Sequence, residues 1–162
     1  MTDPILRVDG ISKGFPGVQA LKDVHLEVHA GEVLVLVGEN GAGKSTLMKI
    51  LSGIYTKDEG TIVFEGEEVE LTSPLQAQQL GITIIHQEMN LMSDLTVAQN
   101  IYVGREPKNG PFLSESKLNA QTAELLERLE INLNPRQTVG ELTVAKQQMV
   151  EIAKALSLNA KV

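Results

Sequence analysis

Val33 to Thr46 reads VLVLVGENGAGKST, and the interpretation of the whole chain turns on it. Alternating valine and leucine run into Gly38, a glycine-rich turn follows, and Lys44-Ser45-Thr46 opens an apolar helical pattern at Leu47, Ile50 and Leu51. The spacing is that of G-x-x-x-x-G-K-[ST], with Gly38 and Gly43 as the fixed glycines. A buried strand is expected to deliver this loop. Glycines let successive backbone N–H groups turn inward without Cβ clashes, which makes an anion nest. A helix starting near Gly43 adds its unpaired N–H groups and the positive end of its dipole. In that arrangement Lys44 reaches the β- and γ-phosphates, Ser45 offers a hydroxyl to Mg²⁺, and Thr46 is the next group in reach. The bland alternative is a strand, a turn and a helix with a surface lysine, and it leaves the glycine spacing unexplained.

Composition sets the outer limits. A chain of 162 residues with 42% hydrophobic and 22% charged content is one domain's worth of soluble globular sequence. A net charge of −7 speaks against non-specific nucleic-acid binding, which needs a basic face. With no cysteine there is no disulfide or thiolate metal site, which fits a reducing compartment. The opening MTDPILRVDG has no basic n-region or apolar h-region, so no secretory signal is expected. No apolar run approaches the roughly 20 residues that span a bilayer, so membrane association is expected to go through a partner.

Before the glycine loop, Ile5–Val8 and Val24–Val28 alternate apolar with polar, as half-buried antiparallel strands do. Gly14-Phe15-Pro16-Gly17 between them is turn chemistry. Phe15 in that turn either covers a sheet edge or offers a flat stacking face to a base. After the loop, Lys57–Gly60 reads as a charged turn, and Thr61–Phe64 with Val69–Leu71 as a hairpin through Gly66. Glu65, Glu67, Glu68 and Glu70 read as its solvated face rather than as a metal site. Ser73-Pro74 starts a helix that Gly81 ends, and Ile82–Ile85 is the short apolar run of a buried parallel strand. It leads into His86-Gln87-Glu88. His86 reads as a strand-end histidine in preference to a catalytic one. Gln87 is either polar punctuation or an amide that orients a water in a metal shell.

From Ser93 onward the pattern is helical. Thr96–Val103 is short and amphipathic, Glu106–Pro111 is a loop, and Ser114 caps a helix with Leu118, Leu125, Leu126 and Leu129 on one face. Asn132–Gly140 is a connector. The last helix spans Val144–Leu158, with Met149, Ile152, Ala153 and Leu156 as its buried face and Met149 as core filler. Its start, with Thr143, Lys146, Gln147 and Gln148, is either an ordinary helix start or a second anion site.

Taken in order, these segments resemble the nucleotide-binding subunit of ABC transporters along the whole chain. GENGAGKST looks like the Walker A loop, KGFPGVQAL holds Phe15 where that family places its base-stacking aromatic, and IIHQEMNL holds Gln87 where it places the Q-loop glutamine. LTVAKQQMVEIAKAL, from Leu142 to Leu156, looks like the signature segment and its helix. The closer resemblance is to the first cassette of the tandem ATPases for simple sugars, of the ribose, xylose and galactose group. FPGVQAL, GIY, GREP and QQMVEIAKAL share that character, and the ribose type is the leading expectation within it.

The resemblance implies an α/β fold: a P-loop NTPase core on a parallel sheet, an antiparallel β subdomain and a helical subdomain, incomplete at the C-terminus. The expected division is 1–92 for the β and P-loop part and 93–162 for the helical part with the signature helix. The resemblance assigns ATP to Phe15, Gly38, Glu39, Asn40, Gly41, Ala42, Gly43, Lys44, Ser45, Thr46, Thr143 and Ala145. It assigns Mg²⁺ to Ser45 and Gln87. Its partners would be membrane permease subunits, a second ATP-binding cassette and, indirectly, a periplasmic sugar-binding protein, with no nucleic acid. Its place would be peripheral, on the cytoplasmic face of the bacterial inner membrane, although the stretch itself is soluble.

Two departures qualify the resemblance. The usual LSGGQ is Leu142-Thr143-Val144-Ala145-Lys146, which keeps a hydroxyl at Thr143 and loses both glycines. The family's first sugar cassettes are similarly degenerate, implying an asymmetric pair with one weaker site. The sequence also stops at Ala160-Lys161-Val162, where the family continues into the Walker B strand, its aspartate and the catalytic glutamate. The parent protein is therefore expected to hydrolyse ATP, and this stretch to do so negligibly. By the same resemblance the strands beside Leu34–Val37 come from later sequence, so dimerisation, swapping of elements or disorder of part of the sheet is expected. The rivals are a soluble ABC ATPase acting on DNA or ribosomes, and a stand-alone phosphate-loop kinase, which would not account for the signature helix.

Overall fold

A computed structural model describes residues 3–86 and 89–162. Two compact units emerge, one drawn from the residues up to Ile82 together with Val162, the other from Thr83 to Lys161. The first is built on a four-stranded sheet in the order β2-β1-β3-β4, antiparallel throughout: β1 (Leu6–Phe15), β2 (Val18–Val28), β3 (Glu59–Phe64) and β4 (Glu67–Glu68). Both strands expected from the early alternation are present and longer than that alternation. The reason lies at Gly10. Leu6 and Val8 are buried, and the next buried position is Ile11, so the inward face changes parity where the ladder shifts register. Gly10 has φ 65, and across the sheet a Cβ on Gly60 would lie 2.5 Å from the Gly10 carbonyl. Two facing glycines make this slip possible, and they place Gly60 inside β3 rather than in the charged turn expected there.

β1 and β2 join through Pro16-Gly17, with Phe15 paired to Val18, so Phe15 ends a strand instead of lying within the turn. Glu65 and Gly66, at φ 51 and 84, link β3 to β4. This tight turn puts Glu67 opposite Phe64, which moves the second strand of the expected hairpin upstream of Val69. The core packs Leu6, Val8, Ile11, Ile62 and Phe64 of the sheet against Leu47, Ile50 and Leu51 of α1 (Lys44–Leu51). Burying each such side chain contributes about 1.5–3 kcal/mol. α2 (Pro74–Leu80) begins as its sequence requires: Ser73 Oγ accepts from the Gln76 N–H at 3.3 Å, proline follows, and Gly81 ends the helix at φ 98.

Two expected buried strands do not form. Val33–Val37 is not a buried strand: it joins no ladder, and Val33 and Val37 are 88% and 89% exposed. Ile82–Ile85 likewise forms no strand; Ile82 enters the core, and Ile85 is exposed. Alternation of apolar side chains specifies extended backbone, but a buried strand also needs neighbours to take its N–H and C=O groups. Among the described residues no parallel pair forms.

The second unit is helical: α3 (Val97–Ile101), a short hairpin of β5 (Lys108–Asn109) and β6 (Phe112–Leu113), α4 (Glu115–Arg128), a 3-10 turn at Val139–Glu141 and α5 (Val144–Leu156). The hairpin occupies part of the loop expected at Glu106–Pro111. Thr96 and Gln99 form a reciprocal capping box at the start of α3. Val97, Ile101, Leu125, Leu126, Val139, Leu142, Val150 and Ala153 form the core. Met149 is therefore not the filler expected of it. It is 39% exposed, Leu156 is exposed too, and Val150 and Ala153 are fully buried, so the inward face of α5 is rotated from the one expected.

Asn100 is buried among these apolar groups with its amide fully used. Nδ2 donates to the carbonyls of Met92, Leu95 and Thr96, and Oδ1 accepts from the Met92 N–H at 2.8 Å. The carboxylate of Glu151 on α5 accepts from the Asn90 N–H at 2.9 Å, which ties the same segment to a second helix. Arg105 closes the opposite end, donating to Ile101 O and to the carbonyl and hydroxyl of Ser157. Its partial burial lowers its pKa.

Candidate functional site

The glycine loop is a formed cradle. Gly41 and Gly43 take left-handed backbone, at φ 87 and 86, and the Ala42 N–H donates to Glu39 O at 3.2 Å. The first helical bond of α1 runs from Leu47 N–H to Gly43 O at 2.9 Å, so the N–H groups of Lys44, Ser45 and Thr46 have no acceptor within the helix. Lys44 curls back over the loop: its Nζ donates to Gly38 O at 2.6 Å and to Glu39 O at 2.8 Å. Ser45 is exposed and Thr46 half-buried. The glycine turn, the helix start and the ammonium are thus immediate neighbours, an arrangement suited to a polyanion.

Gly43 is fixed by more than its φ. A Cβ there would lie 2.5 Å from Ala20 O and 2.6 Å from Leu21 Cδ2, because the start of α1 sits directly on β2. The loop is seated on the antiparallel sheet through this contact.

Phe15, at the tip of the β1–β2 hairpin, is 38% exposed. Its ring meets that of Tyr55 edge to face, with centroids 5.3 Å apart at 67°. Lys13 Nζ stands 5.8 Å from the Phe15 centroid and forms an ion pair with Asp58 at 2.5 Å. Asp58 also accepts from the Gly14 N–H at 2.8 Å. That backbone bond first, and Lys13 second, hold the Asp58 carboxyl below its usual range. The sign follows: a group whose pKa is depressed on folding contributes stability that is complete above its unfolded value, about 3.9, and is lost as pH falls through the folded one. The Gly14 amide resonance is expected to titrate with a midpoint below that of an unpaired aspartate. It should not titrate in Asp58→Asn; a Gly14 shift that titrates identically in both proteins would disprove the assignment.

Gln87 falls outside the described residues. Thr143 and Ala145 are exposed at the start of α5 in the second unit. Thr143 occupies the N-cap position with φ −65 and ψ 156, but its hydroxyl makes no cap bond. Gln147 instead reaches back, its Nε2 donating to Val139 O at 3.1 Å. His86 is exposed. Tyr55, Lys13 and Asp58 were not singled out from the sequence. The one available signal was rarity, since a chain with three phenylalanines, two tyrosines and no tryptophan has placed two of its five aromatics side by side.

Known proteins resemble this chain in sequence and fold. The ABC transporter family profile matches residues 21–162. A putative ribose/galactose/methyl galactoside import ATP-binding protein 1 of Burkholderia lata is 58% identical over 161 residues, covering 98% of this chain and 31% of that protein. A protein of the same description from Agrobacterium fabrum is 55% identical, covering 98% and 31%. The chain thus spans about a third of the length of the curated relatives it matches. Among solved structures, an ATP-binding cassette of an ABC transporter in its ADP conformation superposes with a TM-score of 0.84 at 29% identity, covering 99% of this chain and 67% of that one.

Proposed function

The chain belongs to the ABC transporter family, and on that premise we propose that it is the ATP-holding part of a cassette that drives import of simple sugars. The observation that carries this reading is the preformed loop, with the Lys44 ammonium held over the Gly38 and Glu39 carbonyls where a triphosphate would lie. The backbone from Gly38 through Glu39, Asn40, Gly41, Ala42 and Gly43 would wrap the β- and γ-phosphates, with Lys44, Ser45 and Thr46 closing on them. Phe15 would stack on the base. Mg²⁺ would neutralise phosphate charge; Ser45 supplies a hard hydroxyl oxygen suited to an ion that keeps most of its water and phosphate ligands, and Gln87 would join that shell. Thr143 and Ala145, at the start of α5, would meet nucleotide held by a second cassette.

The relatives' import descriptions favour transport over an ATPase working on DNA or ribosomes, and their sugars suggest the substrate class, with ribose as the leading member. The partners would be two permease subunits and a second cassette, with a periplasmic sugar-binding protein upstream. The cassette would act at the cytoplasmic face of the membrane, and no helix among the described residues is long and apolar enough to cross one.

Calorimetric titration with ATP, with and without Mg²⁺, tests the binding half of the proposal. Saturable 1:1 binding strengthened by Mg²⁺ is expected, with a Kd within the range of about 1 μM to 1 mM usual for substrates. No saturation at the top of that range would overturn it. For the transport half, co-purification with a permease pair from the source cells is expected, and recovery with ribosomes or DNA instead would refute it.

A further inference from the structure

We infer that Tyr55 is the positioning residue that ties the base platform to the phosphate cradle. The inference rests on the reading above, in which Phe15 receives the base and the Gly38–Thr46 loop the phosphates. Those two subsites come from opposite ends of one mechanical chain. The loop leads into the start of α1, and at the other end of α1 the Lys49 carbonyl accepts from both the Ile54 N–H, at 2.8 Å, and the Tyr55 N–H, at 3.0 Å. These two hydrogen bonds to one carbonyl pin Tyr55 to the end of the helix. Lys49 Nζ lies 5.2 Å from the Tyr55 ring centroid, a second hold on the same residue. The Tyr55 ring then meets Phe15 at 5.3 Å, and Lys13 stands 5.8 Å from Phe15 on the hairpin side. Cation, ring, ring and cation therefore follow one another from α1 to the hairpin tip.

The hairpin tip needs such a link. Pro16 and Gly17 are exposed, Val18 is 63% exposed, and a Cβ on Gly17 would touch nothing within 4 Å. Asp58 fixes the backbone at Gly14, but no hydrogen bond can hold the Phe15 ring itself. Edge-to-face packing against Tyr55 supplies what is missing, because it restrains ring orientation as well as position. The nest is already seated on β2 through Gly43, and Tyr55 adds a hold on the Phe15 ring from the far end of α1. Without it, Phe15 is free to turn, and the base loses its platform while the phosphates keep theirs.

The test compares two ligands, ATP and inorganic triphosphate, the second having no base. Tyr55→Ala is expected to raise the Kd for ATP roughly three- to tenfold, the range of one aromatic pair. The Kd for triphosphate should stay within about twofold, because phosphate recognition by loop amides and a helix N-terminus is local. Tyr55→Phe, which keeps the ring, should restore ATP binding, and Tyr55→Leu, which fills the space without a ring, should behave as Tyr55→Ala and guards against a cavity effect. Equal weakening of both ligands would mean that Tyr55 is merely structural, and no change in either would remove its role; both outcomes overturn the inference. Phe15→Ala separates the layers. If it weakens ATP alone while Tyr55→Ala does nothing, this inference fails and the platform stands; if Phe15→Ala leaves ATP unaffected, the platform fails and this inference with it. A wild-type chain that binds neither ligand would overturn the proposed function as well.

Discussion

Replacing Lys44 with alanine is expected to weaken ATP binding on the order of a hundredfold, with little loss of fold. Charge-assisted hydrogen bonds from an ammonium to phosphate are each worth about 1.5–3 kcal/mol. Two of them would exceed a hundredfold, but Lys44 must first leave Gly38 O and Glu39 O, and those bonds offset part of the gain. Stability should change by no more than about 0.5–1 kcal/mol, because the lysine is not in the core and its two partners are exposed loop carbonyls that water can satisfy. Calorimetry and urea denaturation on the same preparations give both numbers. Unchanged ATP affinity in a folded Lys44→Ala protein would remove the loop from nucleotide binding altogether.

Gly43→Ala is expected to be the most disruptive small substitution in the site, and Gly41→Ala is its control. Both positions require left-handed backbone, which costs a residue with a Cβ about 1–2 kcal/mol. Only at Gly43 does the added carbon also collide with its surroundings, at 2.5 Å from Ala20 O, whereas at Gly41 nothing lies within 4 Å. Relieving the collision requires α1 to lift from β2, a further cost of about 1–3 kcal/mol by comparison with overpacked cores. The urea midpoint should fall clearly further for Gly43→Ala than for Gly41→Ala, and ATP binding should be lost in the first because the lifted helix start carries the nest with it. Equal midpoints would show that the close approach to β2 contributes nothing.

How much of this was written in the sequence depends on the range of the interaction. Local chemistry was legible. Ser73-Pro74 with Gly81, the cap at Ser114 and the glycine spacing of the phosphate loop each specify backbone within a few residues, and all appear as read. The α5 face was harder, because Met149-Ile152-Ala153-Leu156 and Val150-Ala153 are both helical spacings, and only packing against Leu125, Leu126 and Val139 selects the second. Asn100 was invisible as a determinant, being one more polar residue on a short helix until its four bonds to the 92–96 backbone are seen. Val33–Val37 shows the opposite failure: its alternation is strong, but pairing partners are not a property of the segment that needs them. Of the candidate site, the glycine loop and Phe15 stand out in the sequence as candidates, whereas Tyr55 and Asp58 enter through contacts that span 40 residues or more of chain.

The lysine folded over its own loop also bears on timing. A cradle that kept its shape only when filled would have to order several residues at each capture, and loop rearrangement of that kind takes nanoseconds to microseconds. The glycine backbone is turned at Gly41 and Gly43 and a single side chain bridges two of its carbonyls, and rotamer changes of one side chain are faster than loop motion. If the loop holds nucleotide as proposed, capture would ask for one side-chain rotation rather than a loop rearrangement, and differences in affinity would be expressed mainly in how quickly the nucleotide leaves.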